Sequence, residues 1–80
     1  DANRYSDARD NYDELLRRFP ASPNAPEASW LVAWCDVQLR EFTRATTTLQ
    51  RVKDLFPNTV YSGRADFWMG KMQERPPPPS

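Results

Sequence analysis

The chain has 80 residues, enough for one small domain. Its 11 basic and 11 acidic residues give a formal net charge of zero. This balance argues against a nucleic-acid-binding arm or an anchor for acidic lipids, because both need a surplus of positive charge. Histidine is absent and Cys35 is the single cysteine, which excludes Cys/His metal sites, Ser-His-Asp triads, Cys-His pairs and internal disulfides.

Two further features of the sequence exclude a phosphate-binding loop and a membrane span. The two glycines, Gly63 and Gly70, lie seven residues apart, so the sequence has no glycine loop that could hold a phosphate. It also has no apolar run long enough to span a membrane. We therefore expect no cofactor, no bound metal and no catalytic residues in this chain.

The first predicted element is a helix over about residues 3–19. Apolar residues recur there at the three-and-four spacing of one helical face, at Tyr5, Ala8, Tyr12, Leu15, Leu16 and Phe19. The charged residues between them are expected to face solvent: Asp7, Arg9, Asp10, Asp13, Glu14, Arg17 and Arg18. Pro20 disfavours helical geometry at the preceding residue and ends the element.

The second helix is predicted over about residues 26–40, after a proline-rich connector. Pro26 suits a first helical position, with Asn24 or Ala25 at the cap. The helix has two adjacent apolar stripes, one of Ala28, Leu31, Val32, Cys35 and Leu39 and one of Trp30, Ala33, Trp34 and Val37. An ordinary surface helix has one such stripe, so we expect this helix to be sandwiched between neighbours or to offer a face to a partner.

Two more helices are predicted, over about residues 42–56 and 60–74. The third has an apolar face and ends before Pro57, and the fourth places its apolar face around Trp68. Residues 75–80, largely proline, predict an extended tail. The predicted fold class is therefore all-α, with about four antiparallel helices.

The chain also repeats itself at a spacing of 37 residues. This shift places Phe19-Pro20 on Phe56-Pro57, and it pairs further positions of like character: Ala8 with Ala45, Tyr12 with Leu49, Leu15 with Val52, Ala28 with Ala65, Trp30 with Phe67 and Leu31 with Trp68. Stacked copies of a helix–link–helix unit form an α-solenoid.

These residues resemble the tetratricopeptide-like repeats of bacterial envelope proteins, over about residues 5–73. The run 12–28 is similar to the second helix of such a repeat (helix B), its closing proline and the link to the next first helix (helix A). Ala33 and Gly70 stand where the family keeps a small residue for close helix approach. Two departures are visible: Arg40-Glu41 occupies a turn where glycine is usual, and a family tyrosine is missing near Asp36.

Three features are candidate sites. The acidic residues of the first helix are best interpreted as a solvated face rather than a cation site, and Cys35 as a small buried hydrophobe. Trp30 and Trp34 lie one turn apart on a stripe expected to face away from the third helix. The resemblance implies that this stripe lies on the concave, peptide-binding side. The candidate protein-binding residues are Glu27, Trp30, Trp34, Val37, Arg64, Phe67 and Lys71.

We therefore expect a non-catalytic scaffold for protein–protein interaction. Either neighbouring repeats or subunits, or a separate protein partner, should cover the aromatic stripe, because monomers seldom leave large apolar patches exposed. The resemblance implies the bacterial periplasm or cell envelope, where a lipid anchor upstream of Asp1 is possible. The alternatives are a helical, non-catalytic segment of a soluble lytic transglycosylase and a small accessory subunit of a larger complex.

Overall fold

The computed structural model describes residues 2–73, which form four α-helices. They are α1 (Ala2–Arg18), α2 (Ala25–Gln38), α3 (Phe42–Leu55) and α4 (Val60–Gln73). The described residues contain no strand, so the prediction of an all-α helical repeat is confirmed. The predicted proline-rich tail over 75–80, and the predicted helix end at residue 74, lie outside the described residues. Between residues 2 and 73 no helix is both long and apolar enough to cross a membrane.

The prolines set the helix ends as the sequence indicates. Helix α1 ends one residue before Phe19, whose backbone N–H donates to the carbonyl oxygen of Leu15 at 2.8 Å. Phe56 ends α3 in the same way, donating to Val52 at 2.9 Å. The two Phe-Pro stops thus share one backbone arrangement 37 residues apart. Their side chains differ, because Phe56 is half-buried whereas Phe19 is 57% exposed.

Asn24 occupies the cap position before α2, and Pro26 falls in its first turn. The Asn24 side chain makes no capping hydrogen bond. Its backbone N–H instead donates to Oγ of Ser22 at 3.2 Å. The connector is therefore ordered by turns, in which the N–H of Ala25 also donates to the carbonyl of Ser22 at 2.9 Å.

Helix α2 is the centre of the packing. It packs against α1, α3 and α4, whereas the backbones of α1 and α3 do not approach each other closely. Helices α2 and α4 therefore form one layer, and α1 and α3 form a second layer packed against it. The prediction that α2 is sandwiched between neighbours is confirmed.

The core lies where α2, α3 and α4 meet. It combines Trp30 and Ala33 of α2 with Leu49 and Val52 of α3 and Ala65 of α4. Partly buried apolar residues pack around this cluster: Leu31, Trp34, Tyr61, Trp68, Met69 and Met72. Ala33 and Ala65 are fully buried, so small side chains allow the helices to approach closely at these two positions.

The close helix approach expected at Gly70 is not made by any helix of the described chain. A Cβ added there would meet no atom within 4 Å, so no helix of the described chain approaches it closely. The counterpart Ala33 is buried because α3 and α4 pack around α2, and no described helix covers the corresponding side of α4.

In the turn between α2 and α3, Arg40 occupies the position where glycine is usual. Arg40 has a φ of 61°, in the left-handed region. Two backbone hydrogen bonds close the turn, from Arg40 N–H to Val37 at 3.0 Å and from Glu41 N–H to Asp36 at 2.9 Å. This is the Schellman arrangement, in which glycine is usual because a Cβ is disfavoured at positive φ.

Replacing Arg40 with glycine should therefore stabilise the protein. We expect Arg40→Gly to raise the free energy of unfolding by about 0.5–1 kcal/mol, because it removes the penalty of a left-handed residue that carries a Cβ. Thermal unfolding followed by circular dichroism measures the effect. The matched control Arg51→Gly, in the middle of α3, should lower stability by a similar amount. A loss of stability in both variants would contradict the interpretation of the turn.

Candidate functional site

Four aromatic side chains form a continuous row across α2 and α4, here called the aromatic row: Trp30, Trp34, Trp68 and Phe67. Trp30 stacks on Trp34 with ring centroids 6.2 Å apart, and Trp34 meets Trp68 edge-on at 5.4 Å. Phe67 then meets Trp68 edge-on at 5.9 Å. Stacked and edge-to-face pairs at these distances are favourable beyond the apolar area that they bury. The row therefore helps to hold α2 and α4 together.

Exposure changes steadily along this row. Trp30 is 8% exposed and belongs to the core with Leu49 and Val52 of α3. The expectation that its stripe faces away from α3 is therefore wrong for Trp30, because the large indole reaches the junction of α2, α3 and α4. Trp34 and Trp68 are half-buried, and Phe67 is 58% exposed. The accessible part of the row thus runs from Trp34 to Phe67.

A shallow open groove of about 390 Å³ lies beside the row. It is lined by Trp30, Leu31, Trp34, Arg64 and Trp68. Apolar surfaces with one cationic side chain at the edge are suited to holding an apolar side chain of a partner next to a carboxylate.

The predicted charged residues form the rim of this surface. Tyr61 donates a hydrogen bond from its hydroxyl to Oε2 of Glu27 at 3.3 Å, and the guanidinium of Arg64 lies 5.7 Å from the Tyr61 ring centroid. Lys71 lies over Phe67 at 5.6 Å. These cation–π contacts hold positive charge against the aromatic surface. Val37, the remaining predicted residue, is half-buried and does not line the groove.

Three contributors to this surface are absent from the predicted set, namely Trp68, Tyr61 and Leu31. Periodicity assigns Trp68 and Tyr61 to the packing face of the fourth helix, and Leu31 to the first stripe of the second. The 37-residue repeat pairs Trp68 with Leu31, and both line the groove. The repeat therefore indicates that these two residues occupy equivalent positions.

A second arrangement, absent from the predictions, is a buried ion pair between α1 and α2. Nη1 of Arg9 lies 3.2 Å from Oδ1 of Asp36, whose side chain is 1% exposed. Arg9 also binds Glu41 through the same nitrogen, and the Thr48 hydroxyl approaches Oδ2 of Asp36 at 3.5 Å. Burial alone would lower the pKa of Arg9, but the hydrogen bonds to Asp36 and Glu41 raise it above its ordinary value. The pair fixes α1 against the start of α3.

Arg9 is therefore an exception to the solvent-facing assignment of the charged residues in α1. The signal is present in the sequence: Arg9 lies four residues after Tyr5 and three before Tyr12, on the apolar face, and Asp36 follows the buried Val32 by four. One cation and one anion on facing apolar stripes indicate a partnered pair, because an unpartnered charge in a core is too costly.

The acidic residues of α1 do not gather into a site. Asp7, Asp10 and Glu14 are exposed, and Glu14 pairs with Arg18 at 3.3 Å. In the described part of the chain, no group of three or more acidic, cysteine or histidine side chains is arranged to hold a metal ion.

Cys35 is buried in α2, as the sequence predicts. Burial raises the pKa of its thiol, and the neighbouring Asp36 charge adds to that effect, while Arg9 opposes it. A higher pKa leaves less thiolate at neutral pH, and the thiolate is the reactive form. The surroundings therefore make Cys35 unreactive.

The Arg9–Asp36 pair should show strong coupling in a double-mutant cycle. Arg9→Leu leaves the Asp36 carboxylate buried without its main partner, and we expect a loss of about 3–5 kcal/mol in the free energy of unfolding. Asp36→Leu should cost a similar amount, whereas the double variant should recover most of the loss. Urea unfolding followed by tryptophan fluorescence measures all four proteins. Additive losses in the double variant would show that the two charges act independently.

Cys35 should react slowly with a thiol reagent in the folded protein. At mildly alkaline pH we expect modification at least about a hundredfold slower than in the unfolded chain, because reaction requires local opening and a thiolate. Absorbance on reaction with Ellman's reagent measures the rate. The control is Cys35→Ala/Thr47→Cys, which places a thiol at an exposed position of α3 and should react rapidly. Equal rates for the two proteins would contradict the burial of Cys35.

Comparison with known proteins gives one match, which lies in the central part of the chain. Residues 27–59 match the family model described as tetratricopeptide repeat. No curated protein and no solved structure gives a significant match to the chain. The matched range begins in the first turn of α2 and ends just before α4, so it covers nearly all of α2 and the whole of α3. The match supports a tetratricopeptide-like repeat in the α2–α3 hairpin, which α1 and α4 flank.

Proposed function

We propose that this chain is a non-catalytic module that binds a protein partner through the accessible part of the aromatic row, from Trp34 to Phe67. Tetratricopeptide repeats are generally interaction modules, and the match over residues 27–59 supports that class of function. The observation that favours this surface over others is the exposure of Phe67. This residue has a large aromatic side chain, 58% exposed, that nonetheless continues an ordered row of tryptophans.

The chemistry of the surface selects the kind of segment that it binds. The groove beside Trp34 offers apolar contact, and Arg64 at its edge offers a positive charge. Glu27 and Lys71 extend the polar rim on α2 and α4 respectively. Aromatic residues surrounded by a polar rim are the usual composition of binding hot spots. The partner segment should therefore present apolar side chains flanked by charges.

We also propose a location in the bacterial periplasm or cell envelope. Its support is the resemblance of the run 12–28 to repeats of envelope proteins. Fractionation of the source cells, with an antibody raised against this chain, tests the location. Recovery with the cytoplasmic fraction would reject it and leave the binding proposal unaffected.

Truncating the row at its exposed end should weaken binding. We expect Trp34→Ala and Phe67→Ala each to reduce the affinity for the partner by at least about tenfold, because side chains at the centre of such a patch dominate binding energy. The partner is first captured from the native source with the unaltered chain and identified by mass spectrometry. Its affinity for each purified variant is then measured by calorimetry.

The matched control is Phe19→Ala, since Phe19 is an equally exposed aromatic residue just after α1 and does not belong to the row. It should bind as the unaltered chain does. Trp30→Ala is unsuitable as a test, because Trp30 belongs to the core and its loss would lower stability. Unchanged affinity in both Trp34→Ala and Phe67→Ala would reject the surface.

A further inference from the structure

Helices α1 and α3 stand apart over the outer side of α2 and leave a groove, here called the arginine groove. Two adjoining cavities, of about 330 and 210 Å³, make it up. Both are lined by Asp13 of α1 and Arg51 of α3, so they lie side by side. The walls belong to α1 and α3, whose backbones do not approach each other closely, and the floor belongs to α2.

The arginine groove lies on the opposite face of α2 from the aromatic row. Its floor consists of Ser29 and Val32, whereas Trp34 lies about half a turn around the helix. Walls and floor all come from residues 13–56.

Positive charge dominates the lining of this groove. Arg17 of α1 and Arg44 and Arg51 of α3 line it, together with the acidic Asp13. Arg44 lies 4.0 Å from Glu41, but neither Arg17 nor Arg51 forms an ion pair with any other described residue. In a protein of zero net charge, two unpaired guanidinium groups facing one groove are a local surplus.

The floor adds a hydrogen-bonding group to these charges. Ser29 is 4% exposed and lines the groove, yet its hydroxyl forms no hydrogen bond within the described residues. This hydroxyl is therefore a free hydrogen-bond donor at the floor of the groove. A carboxylate between Arg17 and Arg51 could accept its hydrogen bond.

Apolar side chains complete the surface at the end nearest Pro20. Leu16, Leu55 and Phe56 line the smaller cavity, and Leu55 is 60% exposed. The groove thus joins two free cations and a polar floor to an apolar end. We propose that the arginine groove binds an acidic peptide segment, with a carboxylate side chain held by Arg17 and Arg51 and an adjacent apolar side chain held by Leu16 and Leu55.

A synthetic peptide tests this proposal directly. The probe is a short fluorescein-labelled peptide of alternating glutamate and leucine, and its control replaces each glutamate with glutamine. Fluorescence anisotropy with the full 80-residue chain should show tighter binding of the glutamate peptide, weakening as salt is added. Equal binding of the two peptides would overturn the proposal.

Variants then locate the binding. We expect Arg51→Gln and Arg17→Gln each to weaken binding of the glutamate peptide by about tenfold, since each removes a charge-assisted hydrogen bond. Arg18→Gln is the matched control, because Arg18 is exposed on α1 and does not line the groove, and it should leave binding unchanged. Equal effects of Arg18→Gln and Arg51→Gln would show only general charge attraction and would overturn the proposal.

Two further results distinguish the arginine groove from the aromatic row and from self-association. Loss of peptide binding in Phe67→Ala, with Arg51→Gln unaffected, would place the peptide on the aromatic row and overturn the proposal. Sedimentation that shows a dimer which Arg51→Gln dissociates would mean that a second copy fills the groove, and would also overturn it. Failure of the aromatic row in its own test leaves these measurements unchanged, so the two proposals can fail separately.

Discussion

The rest of the structure depends on the burial of α2. Apolar side chains surround most of this helix, and eight of its residues are buried. Such a helix is stable in water only when neighbours cover it on several sides. Helices α1, α3 and α4 supply that cover, and each connection is short enough to return the chain against the same helix. The order of the other helices around α2 follows from this requirement.

Covering α2 in this way leaves two surfaces of different chemistry. On one side, α2 and α4 are joined by the aromatic row, which ends in the exposed Phe67. On the other side, α1 and α3 are separated, and the gap between them is lined by arginines. The Arg9–Asp36 pair joins α1 to α2 and fixes the position of α1. Aromatic and charged surfaces thus lie on opposite sides of one central helix.

Periodicity is enough to predict the four helices and their approximate bounds. Apolar spacing and the prolines at positions 20, 26 and 57 are local signals, and local signals survive in a single sequence. Tertiary features are harder to predict. Periodicity places Trp30 on a binding stripe because it assigns a residue to a face but does not show how far a large indole reaches into the core. The close helix approach predicted at Gly70 stays a prediction, because repeat position alone does not show which helix packs there and no described helix does.

The Arg9–Asp36 pair escapes prediction for a related reason. Charged residues on a helix are usually solvated, and only the coincidence of two opposite charges on facing stripes marks the exception. The arginine groove could not be predicted from periodicity at all, since it depends on the distance between α1 and α3. The repeat does not predict the charge of the groove either, because Arg44 and Arg51 correspond to Asp7 and Glu14 in the preceding unit.

The unequal separation of the helices has a consequence for shape. The backbones of the inner helices α2 and α4 approach each other more closely than those of the outer helices α1 and α3, and we infer that the unit is narrower on its inner side. Wedges stacked in a fixed order bend in one direction, and an array built with this geometry is an arch. Its tryptophans line the inside of the bend and its arginines the outside. Molecules that approach from the two sides therefore meet separate surfaces and do not compete for space.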